Sequence, residues 1–461
     1  MGCVRRRCLV SDGRDARGVG GGGRDDRAPD AGGATGIQLR HLCRVTSGAT
    51  PESGRPEYWD GQILWVTPED LSGLASYILR ETRRKITLPG FEACGVTLAK
   101  EGSIVLTKRA PIGQVAVLAH PACSNQGCFL LTPTGRADSR FIYYWLTSQG
   151  SRLQALGRGS TFMELSTDDL KALKTPVPPL EQQRAIADYL DRETARIDAL
   201  IAAKERLLGL LAEKRRALIT HAVTRGLDPT APLRDSGIPW LGPIPSHWAT
   251  PPVYACFEVQ LGRMLDEKRA PGQHQAPYLR NVDVQWDSVN TADLPEMDFA
   301  ETDRVKYALH PGDILVCEGG EVGRSAIWRG ERPDCFYQKA LHRLRALHSD
   351  LVLPEFFAFV MRACVGLGVF GAMSTGSTIE HLPAEKLRNL RFPLPPLMEQ
   401  QAIVKRMTGF MEKLTVLNGK IEVTISLLRE RRAGLIAAMI GNSPIHCEMD
   451  HATPSGATSK N

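Results

Sequence analysis

The sequence predicts a mixed α+β (mixed α/β) chain of two related globular domains and two long helices, one helix following each domain. Three observations carry this. Segments of the first half recur in the second at a fixed offset of 217 residues. Each copy ends in a proline-rich step into a long stretch with helical periodicity. The segments ahead of each step are short apolar runs punctuated by glycine, the pattern of strands and turns.

The repeat fixes the architecture. Pro176-Val177-Pro178-Pro179-Leu180 matches Pro393-Leu394-Pro395-Pro396-Leu397, and at the same offset Gln183 falls on Gln400 and Ile186 on Ile403. Moving backward, Gly159-Ser160-Thr161 falls on Gly376-Ser377-Thr378, Leu165 on Leu382, Leu170 on Leu387 and Leu173 on Leu390, all without a gap. Further upstream, with small insertions, Gly102-Ser103-Ile104-Val105-Leu106 resembles Gly312-Asp313-Ile314-Leu315-Val316, and Ile112-Gly113 resembles Val322-Gly323. Each of these apolar runs follows a turn-forming glycine and reads as a strand.

The helices come next. From Gln182 to about Val223 the only Pro or Gly is Gly209, and apolar residues recur at helical spacing: Ile186, Leu190, Ile197, Leu200, Ile201, Leu207, Leu208, Leu211 and Leu218. The second helix shows a heptad, with Ile403, Phe410 and Leu417 on one seam and Met407, Leu414, Ile421, Leu428 and Leu435 on the other. Proline ahead of the first turn suits both starts. At 1.5 Å per residue each rod is roughly 60 Å long. Its apolar stripe has to be covered by the twin helix or by another protein, so Gln183, Ile186, Leu190 and Ile197, and Gln400, Ile403, Met407 and Leu414, are the candidate contact residues.

The expected order is therefore an extension over 1–36 with almost no apolar content and read as disordered, a first domain over 37–180, a helix over 181–224, and a Pro-, Gly- and Asp-rich linker over 225–246. A second domain follows over 247–397, then a helix over 398–441 and a disordered tail over 442–461.

Composition excludes several classes. No run approaches the roughly 18 apolar residues of a membrane helix, and Gly and Asp follow the first arginines where a signal peptide has its apolar region, so a cytoplasmic chain with no membrane partner is expected. The 11 cysteines are scattered, with no C-x-x-C pair and no zinc spacing, and read as reduced thiols; no metal ligand is assigned. No Walker loop, H-E-x-x-H or G-x-S-x-G occurs, and the Pro-Pro pairs are followed by Leu or Val, not by the aromatic residue of an amino-methyltransferase motif. No catalytic residue and no cofactor is assigned to the chain. The net charge of +6 hints at an anionic partner without specifying one: residues 37–175 hold 16 basic against 12 acidic side chains, and residues 247–392 hold 16 against 19.

Several stretches resemble the specificity subunits of type I restriction-modification systems. They are Pro178-Pro179-Leu180-Glu181-Gln182-Gln183-Arg184-Ala185-Ile186-Ala187 at the helix start and Lys214-Arg215-Arg216-Ala217-Leu218-Ile219 at its end. Further ones are Asp235-Ser236-Gly237-Ile238-Pro239-Trp240-Leu241-Gly242 with His247-Trp248, and Ser47-Gly48-Ala49-Thr50-Pro51 with Trp65-Val66-Thr67-Pro68-Glu69-Asp70-Leu71. The resemblance spans about residues 37–441. It implies two duplicated target-recognition domains separated by two long antiparallel, coiled-coil-like helices, each domain reading one half of a bipartite double-stranded DNA target. It also implies that the helices set the spacing and dock two methylation subunits, and that restriction subunits complete the complex in host defence. S-adenosylmethionine, ATP and magnesium would then act through those other subunits. Two similar readers on a spacer suit two half-sites about one helical turn apart. One departure stands out: the first half lacks the Trp-Leu-Gly and His-Trp entry that precedes the second.

Bases are read by Arg, Lys, Asn, Gln, Ser or Thr at groove edges, and phosphates are held mainly by Lys and Arg. At turns between strand-like runs these criteria select Lys108, Arg109, Asn125, Gln126, Arg158, Ser160 and Thr161 in the first domain. In the second they select Arg263, Lys268, Arg269, Arg280, Arg324, Gln338, Lys339, Ser377 and Thr378. The alternatives are a self-contained DNA methyltransferase or nuclease, against which the missing cofactor motifs count, and a helical scaffold whose globular ends bind proteins.

Overall fold

The structure, a computed structural model, describes residues 36–441 except 75, 160–162, 265–271 and 374–380. The N-terminal extension up to residue 35, the tail from 442, and the candidates Ser160, Thr161, Lys268, Arg269, Ser377 and Thr378 lie outside the described residues. The chain forms two compact units. Unit 1 takes the chain up to Arg192 together with the stretch from Ala433 onward, and unit 2 is Glu193–Arg432. Each unit thus combines one globular domain with parts of both long helices, a grouping that a division by sequence order does not give.

In unit 1 the strands of the two larger sheets are β1 (Cys43–Ser47), β2 (Trp59–Val66), β3 (Ile78–Leu79), β4 (Lys85–Ile86), β5 (Ile104–Thr107), β6 (Val115–Leu118), β7 (Ala122–Ser124) and β8 (Cys128–Pro133). They form a five-stranded sheet in the order β1-β8-β5-β6-β3 and a three-stranded sheet in the order β4-β2-β7. Successive residues of a strand face opposite sides of a sheet. Here both sides are covered: Ile104, Leu106, Phe129 and Leu131 join one apolar cluster, and Val105, Leu130 and Ala116 join another. Two covered faces explain the unbroken apolar runs Ile104-Val105-Leu106 and Cys128-Phe129-Leu130-Leu131.

Helix α1 (Ser139–Ser148) starts at Asp138, whose carboxylate accepts from the Arg140 and Phe141 amides, and it buries Phe141 through Leu146 without a break. That apolar girth places it inside the domain, not on its surface. Helix α2 (Leu180–Arg225) follows Pro178-Pro179, and Ile186 and Leu190 of its first turns share the unit 1 cluster with Ile436 and Ile440.

Unit 2 repeats the plan. The strands of its two larger sheets are β9 (Phe257–Leu261), β10 (Gln275–Leu279), β11 (Glu296–Asp298), β12 (Ile314–Cys317), β13 (Ser325–Ile327), β14 (Phe336–Tyr337) and β15 (Leu341–Ala346). The sheets have the orders β9-β15-β12-β13 and β11-β10-β14. The parallel pair β2–β7 of unit 1 has its counterpart in the parallel pair β10–β14. Helix α3 (Pro354–Gly366) buries Phe356, Phe357, Val360, Met361 and Cys364 against Ile314, Val316 and Leu344. Helix α4 (Leu397–Gly441) completes the set.

Within unit 2 the two long helices run antiparallel: Ile219, Ala222 and Val223 share a cluster with Ile403 and Met407, Glu205 pairs with Arg429 at 2.9 Å, and Asp198 with Arg432 at 2.9 Å. Burial along α2 steps by four and three through Gln183, Ala187, Leu190, Thr194 and Ile197, a heptad. On α4 the seam through Met407, Leu414 and Ile421 is buried as expected. Its companion is not: Leu417 is 41% exposed, and the covered row runs instead through Met411, Asn418, Ile425 and Arg432. Two polar residues occupy the true seam, so a search for apolar periodicity settles on the neighbouring row.

The linker also departs from expectation. Leu233–Asp235 pairs antiparallel with Pro243–Pro245, and Leu241, Ile244 and Trp248 are buried in the main cluster of unit 2. Burying side chains of this size contributes about 1.5–3 kcal/mol each, so the segment is part of the fold and not a passive connection.

Candidate nucleic-acid interface

One end of the unit 1 sheets gathers four loops. The turn after β1 is tied to the turn before β8 by Ala49 N–H to Ser124 O at 2.9 Å and Gly48 N–H to Cys128 O at 3.4 Å. The loop after β5 joins them through Lys108 N–H to Gly127 O at 2.9 Å, and Leu165 N–H donates to Lys108 O at 2.8 Å. Arg158 and Glu164 exchange two backbone bonds of 3.0 Å. The described candidates Lys108, Arg109, Asn125, Gln126 and Arg158 are therefore brought together.

Unit 2 builds the same end. Gly262 N–H donates to Leu341 O at 3.0 Å, Glu318 N–H to Ala340 O at 2.9 Å, Gln338 N–H to Leu279 O at 3.1 Å and Leu382 N–H to Glu318 O at 2.8 Å. Each bond has a partner in unit 1, so Gly262 corresponds to Gly48, Gln338 and Lys339 to Asn125 and Gln126, and Glu318 to Lys108. The glycines are required by close approach: a Cβ on Gly48 would stand 2.1 Å from Asn125 O, and one on Gly262 2.2 Å from Gln338 O. Arg263, Arg280, Arg324, Gln338 and Lys339 all fall at this end.

The charges are less available than the sequence suggests. Lys108 has a side chain only 12% exposed, 2.9 Å from Glu164, and Arg109 lies 3.0 Å from the same carboxylate. Those partners, Lys108 first, hold the Glu164 carboxyl below its ordinary range. Arg263, 14% exposed, pairs with Asp303 at 3.1 Å and lies over the Phe299 ring. Arg324, 15% exposed, donates to Asn281 O at 3.0 Å. Arg280 makes a two-pronged contact with Asp283 at 2.9 and 2.8 Å. Lys108, Arg263, Arg280 and Arg324 thus hold the loops in shape.

Arg158, 78% exposed with one long contact of 3.5 Å to Asp169, and the exposed Lys339 remain open to solvent, with Arg109 half-exposed. Gln126 is exposed and accepts from the Thr50 hydroxyl, while the Asn125 carboxamide oxygen is engaged by Gly127 N–H at 2.9 Å. Thr50 lies in a stretch that carries the family resemblance; nothing in its local sequence marks it as a partner of Gln126, 76 residues away.

The helix residues expected to meet partners are taken up internally. Gln183, Leu190, Ile197, Gln400, Ile403, Met407 and Leu414 are buried, and Ile186 is partly so. Other apolar residues of the helices stay exposed, among them Leu200, Leu207 and Leu210 on α2 and Val416, Leu417, Val423 and Leu427 on α4. Among the described residues no group of His, Cys, Asp and Glu is placed to hold a metal ion, and no helix is long and apolar enough to cross a membrane.

Two α/β units of one plan, each ending in the same cluster of polar loops and each seated on long paired helices, define a doubled recognition protein. The model of the type I restriction modification DNA specificity domain matches residues 35–208 and again 257–426, and the chain belongs to that family. It carries two copies of the DNA specificity domain of type I restriction-modification systems, one in each half of the chain.

Among its relatives, the type I restriction enzyme MjaIX specificity subunit of Methanocaldococcus jannaschii is 34% identical over 33% of this chain and 36% of its own. The MjaVIII specificity subunit of the same organism is 21% identical over 80% of this chain and 84% of its own. The EcoKI specificity subunit of Escherichia coli K12 is 24% identical over 60% of each. The match thus spans about a third of the first of these relatives and most of the second. The fold is shared with the HsdS subunit from Thermoanaerobacter tengcongensis, at a TM-score of 0.52 and 16% identity over 88% of this chain and 95% of that one. It is also shared with a chain from work on complex assembly and conformational transition of the type I R-M system, at a TM-score of 0.67 and 16% identity over 88% and 98%.

Proposed function

We propose that each unit reads one half of a bipartite double-stranded DNA target with its loop cluster, and that α2 and α4 hold the two readers at a set spacing. The single observation that carries this reading is the double occurrence of one loop cluster, tied by matching backbone bonds, in a chain of this family. The tips differ where readers of different half-sites would differ: Asn125 and Gln126 against Gln338 and Lys339, and Lys108 against Glu318. Carboxamides suit adenine edges, and an acidic side chain accepts from the cytosine amino group. Arg109, Arg158 and Lys339 are the candidates for phosphate contact.

The exposed residues Leu200, Leu207 and Leu210 of α2 and Val416, Val423 and Leu427 of α4 are the candidates for docking two methylation subunits in this reading, in place of the buried stripe. Restriction subunits join the complete assembly, and S-adenosylmethionine, ATP and magnesium are bound by those other subunits in the cytoplasm. Genome-wide methylation mapping tests the proposal in cells carrying this chain with a cognate methylation subunit, against cells lacking only this chain. A new split target with a fixed unspecified gap is expected; a stable complex that adds no methylation would contradict it.

A further inference from the structure

One strand position differs in chemistry between the two units. In β8 of unit 1 Phe129 stands opposite Leu106 of β5; in β15 of unit 2 the matching residue is His342, opposite Val316 of β12. The match is set by the loops, since Gly48 N–H donates to Cys128 O and Gly262 N–H to Leu341 O, one residue earlier in each strand. His342 is fully buried, and its Nε2 lies 2.7 Å from Leu382 O. Leu382 N–H in turn donates to Glu318 O at 2.8 Å, one of the bonds that close the unit 2 loop cluster. Unit 1 has the equivalent of that second bond, from Leu165 N–H to Lys108 O, but a phenyl ring cannot supply the first.

The bond fixes the protonation state. A carbonyl oxygen only accepts, so Nε2 carries the hydrogen and Nδ1 of the neutral ring is left as an acceptor. That Nδ1 is buried, with no hydrogen-bond partner among the described residues. A second proton there would have nothing to receive it, and it would put a charge into the face that Val316 and Leu344 share with the main apolar cluster. On that face α3 contributes the Cys364 thiol, β13 the Ser325 hydroxyl opposite Val316, and β9 only Leu261. Glu318 follows β12, and His381 precedes Leu382, where a Cβ on Gly319 would stand 3.8 Å from its Nδ1. Arg343, Arg345 and Glu258 belong to the opposite face of the sheet. Burial pulls the His342 pKa below its ordinary value, against the Leu382 bond and Glu318, which raise it.

We propose that His342 is a positioning residue of the second reader: its neutral ring holds Leu382 against Glu318, and its protonation releases that segment, so that in acid the second half-site is read less well and the first is not affected. The inference rests on the DNA-reading function proposed above and concerns the unit 2 loop cluster alone. Linkage gives the sign. In the released segment the ring takes up a proton near the ordinary value of about 6.5, whereas the held ring does so only at lower pH. The hold is therefore complete above about pH 6.5 and weakens by up to about tenfold per pH unit below it, until the held ring titrates as well.

Hydrogen exchange of the full-length chain, read by mass spectrometry from about pH 7.5 to about pH 5, follows the Leu382 amide with the Leu165 amide as internal reference. Protection of Leu382, corrected for the intrinsic rate, is expected to fall about tenfold while Leu165 keeps its own. His342→Gln retains a side-chain N–H donor and has no proton to gain, so its protection is expected to be flat across the range; His342→Phe, the unit 1 residue, is expected to be flat and low throughout. In the complex with methylation subunits, methylation of duplexes bearing the mapped target is expected to fall several-fold more in acid for the wild type than for His342→Gln. Protection of Leu382 that does not fall in acid, a fall that His342→Gln does not flatten, or identical methylation profiles of the two chains would each overturn the proposal. If no duplex is methylated at any pH the DNA-reading role fails instead, and the exchange of Leu382 still decides whether His342 holds the segment.

Discussion

Gln183 and Gln400 stand at the starts of the two long helices and make the same three hydrogen bonds. Gln183 accepts from Asp138 N–H at 2.9 Å and donates to Arg136 O at 3.1 Å and Pro178 O at 2.9 Å. Gln400 accepts from Leu353 N–H and donates to Leu351 O and Pro395 O, all at 2.9 Å. Each is fully buried. One carboxamide thereby locks a long helix to the segment that opens the buried helix of its own domain. Gln400→Ala leaves one amide and two carbonyls without partners. A loss of about 3 kcal/mol is expected from chemical denaturation, since each buried unsatisfied group costs roughly 1–3 kcal/mol and the costs overlap.

Asn418 sits in the covered row of α4, and its Oδ1 is buried with no hydrogen-bond partner among the described residues. Polar residues at seam positions specify pairing at a cost in stability. Asn418→Leu is expected to raise the denaturation midpoint, with a gain of about 1 kcal/mol. A fall in the midpoint would mean that the carboxamide is satisfied in solution.

The buried thiols make the fold sensitive to alkali. Burial pushes Cys43, Cys123, Cys128 and Cys335 up to about 12. In the unfolded chain a thiol ionises near 8.5. Below that pH both states hold the proton and the stability is complete; as pH rises toward 12 the unfolded state alone sheds protons and is favoured. The thermal midpoint is expected to be flat up to about pH 8.5 and to fall steadily above it. Replacing Cys123 and Cys128 by alanine should flatten that fall, which a thermal melt at each pH reads directly.

The two kinds of basic residue at the unit 1 loops separate in a salt titration. A cation on a phosphate changes the salt slope of DNA binding by about one unit, whereas a cation engaged within the protein changes stability instead. Arg158→Ala is expected to lower the slope by about 1 with little change in the melting point, because its 3.5 Å pair with Asp169 is exposed and weak. Lys108→Ala is expected to leave the slope unchanged and lower the melting point, because Glu164 loses its closest partner.

The duplication and the helices are legible in the sequence because their signals are local or periodic: Gln183 and Gln400 lie at one offset, and the proline steps mark both starts. The α4 seam is misread where Asn418 and Arg432 replace apolar residues, since periodicity of hydrophobicity is blind to a stripe satisfied by Asp198. The burial of the linker is not legible in the sequence, because Pro, Gly and Asp signal turns without telling whether Leu241 and Ile244 between them are buried. Lys108 and Arg263 read as free cations because their partners, Glu164 and Asp303, lie far along the chain and are joined to them only by the fold.

In the proposed function each unit reads its half of the target by itself. This is tested most directly by exchanging residues 37–175 for the corresponding segment of a relative with a known target, keeping α2, unit 2 and α4, and mapping methylation in cells. A hybrid target is expected, in which one half changes to the donor's sequence while the other half and the gap are retained. A change in both halves at once, or no change in either from a stable complex, would contradict it.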